Sequence, residues 1–268
     1  MSFFRQFPKT QYDFGGRGID TQIVDIFRFL KVEDKISDDL TTYQYYQIQN
    51  GDRPDIVSNE LYGTPDYWWT FFMVNEQLKT GLSGWPMAVE EFEAYIETEY
   101  AGTIINTRPE IVYRSDDTIS EYRNSLADRF LVGEQINGVI SGANGLYFSK
   151  DPQLSQLLIK DVEGSFQDGE AVLGQQSDDT VTAYKVFPYA NAPHHYVNSE
   201  GLISYNALFI NEQNSAEGVQ NDTSDPDLTV VTNLEYETEL NEARADIRVI
   251  RPELIAGFAR SFEELLKK

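Results

Sequence analysis

The apolar and polar positions of residues 46–75 predict one strand followed by two short helices. Tyr46 and Ile48 alternate with polar residues, which is the period of a half-buried strand. The turn Asn50-Gly51 follows, and glycine readily adopts the positive φ that ends such a strand. We therefore expect the chain to turn here and to begin a helix.

Capping residues and apolar spacing indicate the two helices. Asp52 can cap the first helix, Pro54 suits its first turn and Gly63 can end it. Thr64 and Pro65 can open the second helix in the same way. The aromatic residues of the second helix fall on two adjacent stripes, Trp68 with Phe72 and Tyr67 with Phe71. Aromatic residues at helical spacing usually belong to the core.

Trp69 is interpreted differently from its neighbour. Adjacent positions of a helix diverge by about 100°, so Trp69 projects away from the Trp68 stripe. We expect Trp68 to be core and Trp69 to lie nearer a partner-facing surface, because tryptophan is enriched at protein interfaces. Trp69 is therefore a candidate protein-binding residue, together with Tyr62, Asp52 and Arg53 of the same stretch.

The N-terminal segment, residues 1–45, is predicted to combine an arm with a helix. Residues 1–20 are rich in aromatic residues but show little periodicity, so we expect an extended arm that packs on this chain or on a neighbour. The apolar spacing from Thr21 to Lys31 predicts a helix. The aromatic residues of the arm complete the candidate protein-binding residues: Phe3, Phe4 and Phe7.

Residues 130–186 differ in character from the rest of the chain. Short runs rich in β-branched and aromatic residues alternate there with Gly, Asn and Asp turns. The pattern Gly133-Glu134-x-x-x-Gly138 recurs as Gly169-Glu170-x-x-x-Gly174. We interpret this segment as an inserted, small antiparallel β-barrel, of the SH3-like kind, that folds independently.

The remaining elements complete an α+β fold with four segments. Residues 46–105 hold the strand, the two helices and a following helix, whose apolar positions are Val89, Phe92, Ile96 and Tyr100. Residues 187–268 form a loop-rich segment with an exposed loop from Asn214 to Thr229. That segment ends in a strand from Ala245 to Ile250 and a helix from Pro252, with one apolar face formed by Leu254, Phe258, Phe262 and Leu265.

Composition narrows the classes of partner. The net charge of −23 repels phosphate backbones, so we expect no nucleic-acid partner, and it opposes self-association of the isolated chain, which we expect to be a monomer. The absence of cysteine excludes disulfides and thiolate chemistry. No apolar run reaches the roughly 20 residues that a membrane-spanning helix needs, and the N-terminus has no signal-peptide pattern. We therefore expect a protein that folds in a cytoplasm.

Candidate chemistry is sparse. The two histidines, His194 and His195, are adjacent, and neighbouring side chains of an extended segment point to opposite faces, so we do not expect them to share a metal ion. The oxygen-bearing residues Asn221, Thr223, Asp225 and Asp227 alternate as in a calcium loop, but the glycine and the distal glutamate of an EF-hand are missing, so we expect a solvated loop. No nucleophile elbow or phosphate-binding glycine loop is found. We predict no catalytic residue, no metal and no cofactor, and hence no enzyme.

The stretch from Tyr46 to Asn75 resembles a LysM module. The matching positions are Tyr46, Ile48, Gly51, Asp52 and Asn75. The stretch departs from the module at Arg53-Pro54, where glycan-binding members usually have Thr-Leu. The resemblance implies a module that either grips glycan or serves as a protein-binding bracket, and the departure favours the bracket.

A wider resemblance covers roughly residues 1–105 and 188–268. The segments FPKTQYDF, DIFRF, NGDRPDIVSNELYGTPDYWWTFFMVN, HHYV and IRVIRPELIAGFARSFEELL occur here together. Together they resemble the LysM-containing baseplate wedge proteins of T4-like contractile-tailed phages, the wedge protein fifty-three family. The β insertion is not part of that pattern.

The resemblance implies a structural virion protein of the tail baseplate, assembled in the host cytoplasm. Its implied partners are other wedge proteins, namely the core wedge heterodimer and a sheath-initiator-like wedge protein. It would help to join wedges into a ring around the hub, in several copies. The alternatives are a peptidoglycan-binding LysM protein and a lytic enzyme anchored by the LysM block.

Overall fold

The computed structural model describes residues 7–16, 18–25, 42–107, 110–113, 119–123, 126, 130–197, 201, 203–204 and 229–266. The chain divides into two compact units, Met1–Glu91 with Glu239–Lys268 and Phe92–Thr238. Several predicted features lie outside the described residues: Phe3, Phe4, the alternating polar residues from Asn221 to Asp227, and the loop from Asn214 as far as residue 228.

The described helices and strands alternate along the chain. The strands are β1 (Lys9–Tyr12), β2 (Thr21–Val24), β3 (Tyr43–Gln47), β4 (Thr103–Asn106), β5 (Glu110–Tyr113), β6 (Ile119–Arg123), β7 (Gln135–Gly138), β8 (Asn144–Asp151), β9 (Gln156–Glu163), β10 (Ala171–Gly174), β11 (Thr180–Thr182), β12 (Lys185–Pro188), β13 (Pro193–Val197), β14 (Ile203–Ser204), β15 (Thr229–Thr232) and β16 (Asp246–Ile250). The α-helices are α1 (Pro54–Tyr62), α2 (Trp69–Val74), α3 (Val89–Glu99), α4 (Asn233–Ala245) and α5 (Pro252–Leu266). Short 3₁₀ turns occupy Pro65–Tyr67, Glu76–Leu78, Gly81–Gly84 and Tyr189–Asn191.

The first unit is built on an antiparallel pair of strands, β3 and β16, whose register runs from Tyr43 opposite Ile250 to Gln47 opposite Asp246. Helices α1 and α2 follow β3, as the sequence predicts. One buried cluster joins this pair to the helices and includes Val57, Phe71 and Ile247. The strand that closes the unit therefore comes from the far end of the chain.

Local signals of the first unit are partly confirmed. Gly63 ends α1 with φ 72°, and Thr64 accepts a hydrogen bond from the backbone N–H of Asp66 at 3.3 Å. The predicted cap Asp52 is wrong, because Arg53 occupies the position before α1 and its side chain makes no capping bond. The carboxylate of Asp52 instead accepts the backbone N–H of Gln49 at 3.0 Å, so it stabilises the preceding turn.

The predicted helix from Thr21 is wrong at its start, since residues 21–24 form β2 and pair with β1. The backbone N–H of Asp25 donates to the carbonyl of Pro8 at 2.8 Å and closes the root of this hairpin. β-Branched residues such as Ile23 and Val24 favour a strand once a partner strand is present. The remainder of the predicted helix lies outside the described residues.

The C-terminal strand and helix are confirmed as β16 and α5, but the buried face of α5 differs from the predicted one. Ile255, Ala259, Phe262 and Leu266 are buried, whereas Leu254 and Leu265 are 43% and 52% exposed. The apolar residues of α5 cover more than one stripe. Which stripe is buried is decided by the surface that the helix packs on.

The second unit contains a seven-stranded sheet with the order β11-β10-β7-β8-β9-β4-β12, in which all pairs are antiparallel. Among the described strands this sheet stays open, so the expected closed barrel is wrong. The sheet also takes β4 from outside residues 130–186. Its buried core includes Ile105, Ile136, Leu157 and Ile159.

The open edge of β12 shows why this sheet does not continue. The backbone N–H of Val186 donates to the carboxylate of Asp168 at 2.8 Å. Asp168 also pairs with Lys185 at 2.8 Å, and Pro188 has no N–H to offer. An edge whose donors are occupied or absent does not pair with another strand.

Two copies of a turn motif are built into this sheet. Both have the pattern Gly-Glu-x-x-x-Gly-x-x-Ser, within residues 131–147 and 167–183. In the first copy Glu134 is only 1% exposed. Its carboxylate accepts hydrogen bonds from the backbone N–H groups of Gln176 and Ser177, both at 3.0 Å, and from Ser177 Oγ at 2.9 Å. The glutamate of the first copy thus closes the turn of the second.

The glutamate of the second copy makes equivalent contacts with the turn of the first copy. Buried Glu170 accepts hydrogen bonds from the backbone N–H groups of Ile140 at 3.1 Å and Ser141 at 2.9 Å, and from Ser141 Oγ at 2.9 Å. The glycines leave room for the carboxylates, since a Cβ on Gly138 would lie 2.7 Å from Glu170, and one on Gly174 would lie 2.8 Å from the other glutamate. We call these two contacts the reciprocal latches.

Candidate functional site

Trp69 lies in the core of the first unit, which corrects the expected arrangement of the two tryptophans. Trp69 is 7% exposed, and its ring centroid lies 4.6 Å from that of Phe262 and 6.2 Å from that of Phe258. Trp68 is the half-buried one and packs edge-on against Phe72. The expected exposure of Trp69 is wrong because α5 covers this face of α2.

Tyr62 serves the packing of the same unit. Its hydroxyl donates to the carbonyl of Ile250 at 2.9 Å, and its ring packs against Tyr67 and Phe71. Burial raises the pKa of Tyr62 further above neutral pH, where the phenol is protonated in any case and acts as a donor. The side chain is half-buried, and its role in binding a partner stays a prediction.

Asp52 and Arg53 lie at the start of α1. The carbonyl of Asp52 accepts the indole N–H of Trp85 at 2.7 Å, which ties this turn to the core. The side chain of Arg53 is 73% exposed and pairs with Asp55 at 3.2 Å. An exposed pair of this kind contributes little to stability. Of the four candidates from this stretch, Arg53 has a largely exposed side chain, so a partner protein could contact its guanidinium group.

Asn75 is a structural residue whose role the sequence pattern did not reveal. It is 2% exposed, and its amide donates to the carbonyls of Phe71 and Arg248, both at 2.8 Å. Its side-chain oxygen accepts the backbone N–H of Arg248 at 2.8 Å. The side-chain amide of Gln77 likewise donates to the carbonyl of Asp246 at 3.0 Å. Side chains therefore cover the outer edge of β16.

Phe7 is the described member of the predicted arm residues, and it packs on its own chain. It is 9% exposed and belongs to one buried cluster with Trp69, Ala259, Phe262 and Leu266. Two of the candidate residues, Phe7 and Trp69, are thus brought together. The exposed aromatic residues of the arm lie further along the chain, at the tip of the β1–β2 hairpin.

The two histidines meet, contrary to the expectation that they point to opposite faces. Their Nδ1 atoms lie 2.8 Å apart, and the register of β13 with β15 shifts between Pro193 and His195. Such an irregularity turns a side chain out of strict alternation. His194 stacks on Tyr236 with 3.9 Å between ring centroids, and burial lowers the pKa of His194. Among the described residues, no group of three His, Cys, Asp or Glu side chains could hold a metal ion.

A cavity of about 220 Å³ lies beside the histidines in the second unit. Its polar lining residues include Lys150, Asp151, Gln156, His194 and Asn233. Several of these groups are occupied by structural contacts. Lys150 Nζ donates to the carbonyl of Leu126 at 2.7 Å, and Asn233 donates to the carbonyl of Tyr189 at 2.8 Å. These two lining side chains therefore connect neighbouring segments of the second unit.

In the described part of the chain, no helix is long and apolar enough to cross a membrane. The aromatic core, strand β3 and the arm of the first unit fall in the N-terminal half of the chain. Residues 3–130 match the family model of base plate wedge protein 53. This match to base plate wedge protein 53 spans just under half of the chain and covers the arm, β3, α1, α2 and α3.

The matched model describes phage base plate wedge proteins, and residues 3–130 are the part of this chain that is similar to them. The matched range, residues 3–130, includes all of the candidate protein-binding residues, from Phe3 to Trp69. No curated protein matches the chain. The second unit is matched only at its beginning, so most of the seven-stranded sheet lies outside the base plate wedge protein 53 model.

Proposed function

We propose that this protein is a structural component of a baseplate wedge in a contractile phage tail, and that it acts through surface contacts. The match to base plate wedge protein 53 over residues 3–130 carries this proposal. Base plate wedge proteins are parts of an assembly, so its partners are other baseplate proteins.

The first unit is proposed to be a LysM-like bracket that contacts protein. Its strand–helix–helix segment is completed by β16, which pairs with β3 in antiparallel fashion. Two of its tryptophans are committed to the core, with Trp69 7% and Trp85 8% exposed. Sugar-binding surfaces commonly present aromatic faces, and here the ring of Trp85 packs against Phe71 and Phe72 instead. Protein contact is therefore favoured over glycan contact.

The proposed partners are the core wedge heterodimer and a sheath-initiator-like wedge protein. We propose that the protein is a monomer when free and enters the baseplate in several copies, where it helps to join wedges into a ring around the hub. Assembly is proposed to take place in the host cytoplasm. The net charge of −23 favours partner surfaces that carry basic residues.

The test is whether the protein is part of purified baseplates. Tails are isolated from phage particles, and the protein is quantified by mass spectrometry against a known wedge protein. The proposal expects a fixed ratio to that protein. In parallel, the isolated protein is incubated with insoluble peptidoglycan and assayed for cell-wall clearing. Absence from baseplates together with retention on peptidoglycan would establish the glycan-binding alternative, and cell-wall clearing would establish the lytic one.

A further inference from the structure

The β1–β2 hairpin presents a group of apolar side chains at its tip. Phe14 and Ile19 are 72% and 70% exposed, and Tyr12 is 52% exposed. All four residues of β1 are exposed. Scattered exposed apolar residues are normal on protein surfaces, but three exposed apolar side chains within eight residues of one hairpin tip are a candidate interaction surface.

The root of the hairpin is fixed to the first unit. Phe7 lies in the buried cluster with Trp69 and Phe262, and Val24 packs against the same cluster. The backbone N–H of Asp25 donates to the carbonyl of Pro8 at 2.8 Å. A lone two-stranded hairpin is at best marginally stable in water, so these contacts with the first unit stabilise the hairpin.

Described residues of the tip contact one another. The carboxylate of Asp13 accepts the backbone N–H groups of Gly15 at 3.0 Å and Gly18 at 2.7 Å. Gly18 has a φ of 71°, which residues with a side chain rarely adopt. The rings of Tyr12 and Phe14 contact each other edge-to-face, with 4.9 Å between their centroids. These contacts restrict the described residues of the tip, and restricted residues lose less conformational entropy on binding.

We propose that the tip formed by Tyr12, Phe14 and Ile19 inserts into an apolar pocket on a different protein of the baseplate. This inference rests on the proposed function. A projecting knob with two aromatic rings is complementary to a pocket, and buried aromatic anchors dominate the energy of many interfaces.

The charges around the tip favour a different protein over a second copy of this chain. Between residues 8 and 20, Lys9 and Arg17 balance Asp13 and Asp20, so this segment has no net charge. The whole chain carries −23, and two copies would repel each other. Because the tip segment has no net charge, we expect its apolar side chains to make the contact with the partner.

The experiment compares two double variants of the full-length protein with matched exposure. The test variant is Phe14→Ser with Ile19→Ser. The control is Val132→Ser with Ile140→Ser, in which the replaced side chains are 77% and 71% exposed. Each protein is supplied to a phage that lacks the gene, and its amount in purified baseplates is measured by mass spectrometry. A photo-crosslinking phenylalanine at position 14 identifies the contacting chain, with position 140 as the control.

We expect the tip variant to enter baseplates at least about tenfold less than the parent protein, as removal of an interface anchor predicts. The control should enter at the parent level, and thermal melting of both free variants should be unchanged because the replaced side chains are exposed. The crosslink from position 14 should reach another baseplate protein. Equal incorporation of the tip variant, or a crosslink to a second copy of this chain, would overturn the inference. If the parent protein is itself absent from baseplates, the proposed function fails and the inference fails with it.

Discussion

The reciprocal latches predict that replacing Glu134 with glutamine destabilises the second unit. The Glu134 carboxylate accepts the backbone N–H of Leu131 at 2.6 Å as well as those of Gln176 and Ser177 and the hydroxyl of Ser177. An amide has only one oxygen, and its NH₂ group would face donors. Hydrogen bonds to a charged group contribute about 1.5–3 kcal/mol each, and a buried donor left without an acceptor costs about 1–3 kcal/mol. We expect Glu134→Gln to lower the free energy of unfolding by about 2–4 kcal/mol.

The pH dependence follows from the same contacts. Burial alone would raise the pKa of Glu134, but the backbone hydrogen bonds from Ser177, Leu131 and Gln176 outweigh it and hold the pKa below its usual range. A depressed carboxylate pKa contributes stability above the pKa of the unfolded chain, and this contribution is lost as pH falls through the folded pKa. Glutamate in an unfolded chain titrates at about 4.3, so the parent should begin to lose this stability below that pH, and Glu134→Gln should lose less.

The measurement must report on the second unit. All three tryptophans, at positions 68, 69 and 85, lie in the first unit, so their fluorescence reports that unit alone. Amide hydrogen exchange of β7 and β10 in urea reports the second unit. Glu170→Gln should cause a similar loss, and Glu163→Gln, at an exposed position of β9, should leave stability within about 0.5 kcal/mol of the parent. Parent-like stability of both latch variants, or an equal loss in the control, would refute the reasoning.

Further predictions concern packing. Trp69→Ala should lower the free energy of unfolding of the first unit by about 3–5 kcal/mol, because it removes a large buried aromatic ring. Trp68→Ala should lower it by less, and urea melts followed by far-UV circular dichroism compare the two variants. Gly138→Ala should destabilise the second unit, since its Cβ would lie 2.7 Å from Glu170, and amide exchange of β10 should rise. Gly257→Ala is the matched opposite case, because nothing lies within 4 Å of its Cβ position in α5, and thermal melting should show a gain of about 0.5–1 kcal/mol.

Several short-range features of this protein could be predicted from its sequence, although the Asp52 cap and the helix from Thr21 were not among them. Gly63 ends α1, Thr64 accepts a hydrogen bond at the next turn, and Pro252 begins α5, as predicted. Each of these features depends on residues within a few positions of one another, whose capping and backbone preferences are local properties. The resemblance to wedge proteins was carried by such local segments, and the family match covers the same N-terminal part.

The long-range contacts were decided by the tertiary structure alone. Trp69 is buried because α5 returns from the end of the chain to cover α2, and β3 pairs with β16 in the same way. The sequence showed the repeated Gly-Glu pattern, but only the fold showed that each glutamate closes the turn of the other copy. The spacing of a helix or strand determines which residues share a face. It does not determine which distant segment covers that face, because this depends on packing and hydrogen bonding between parts of the chain that are far apart in sequence.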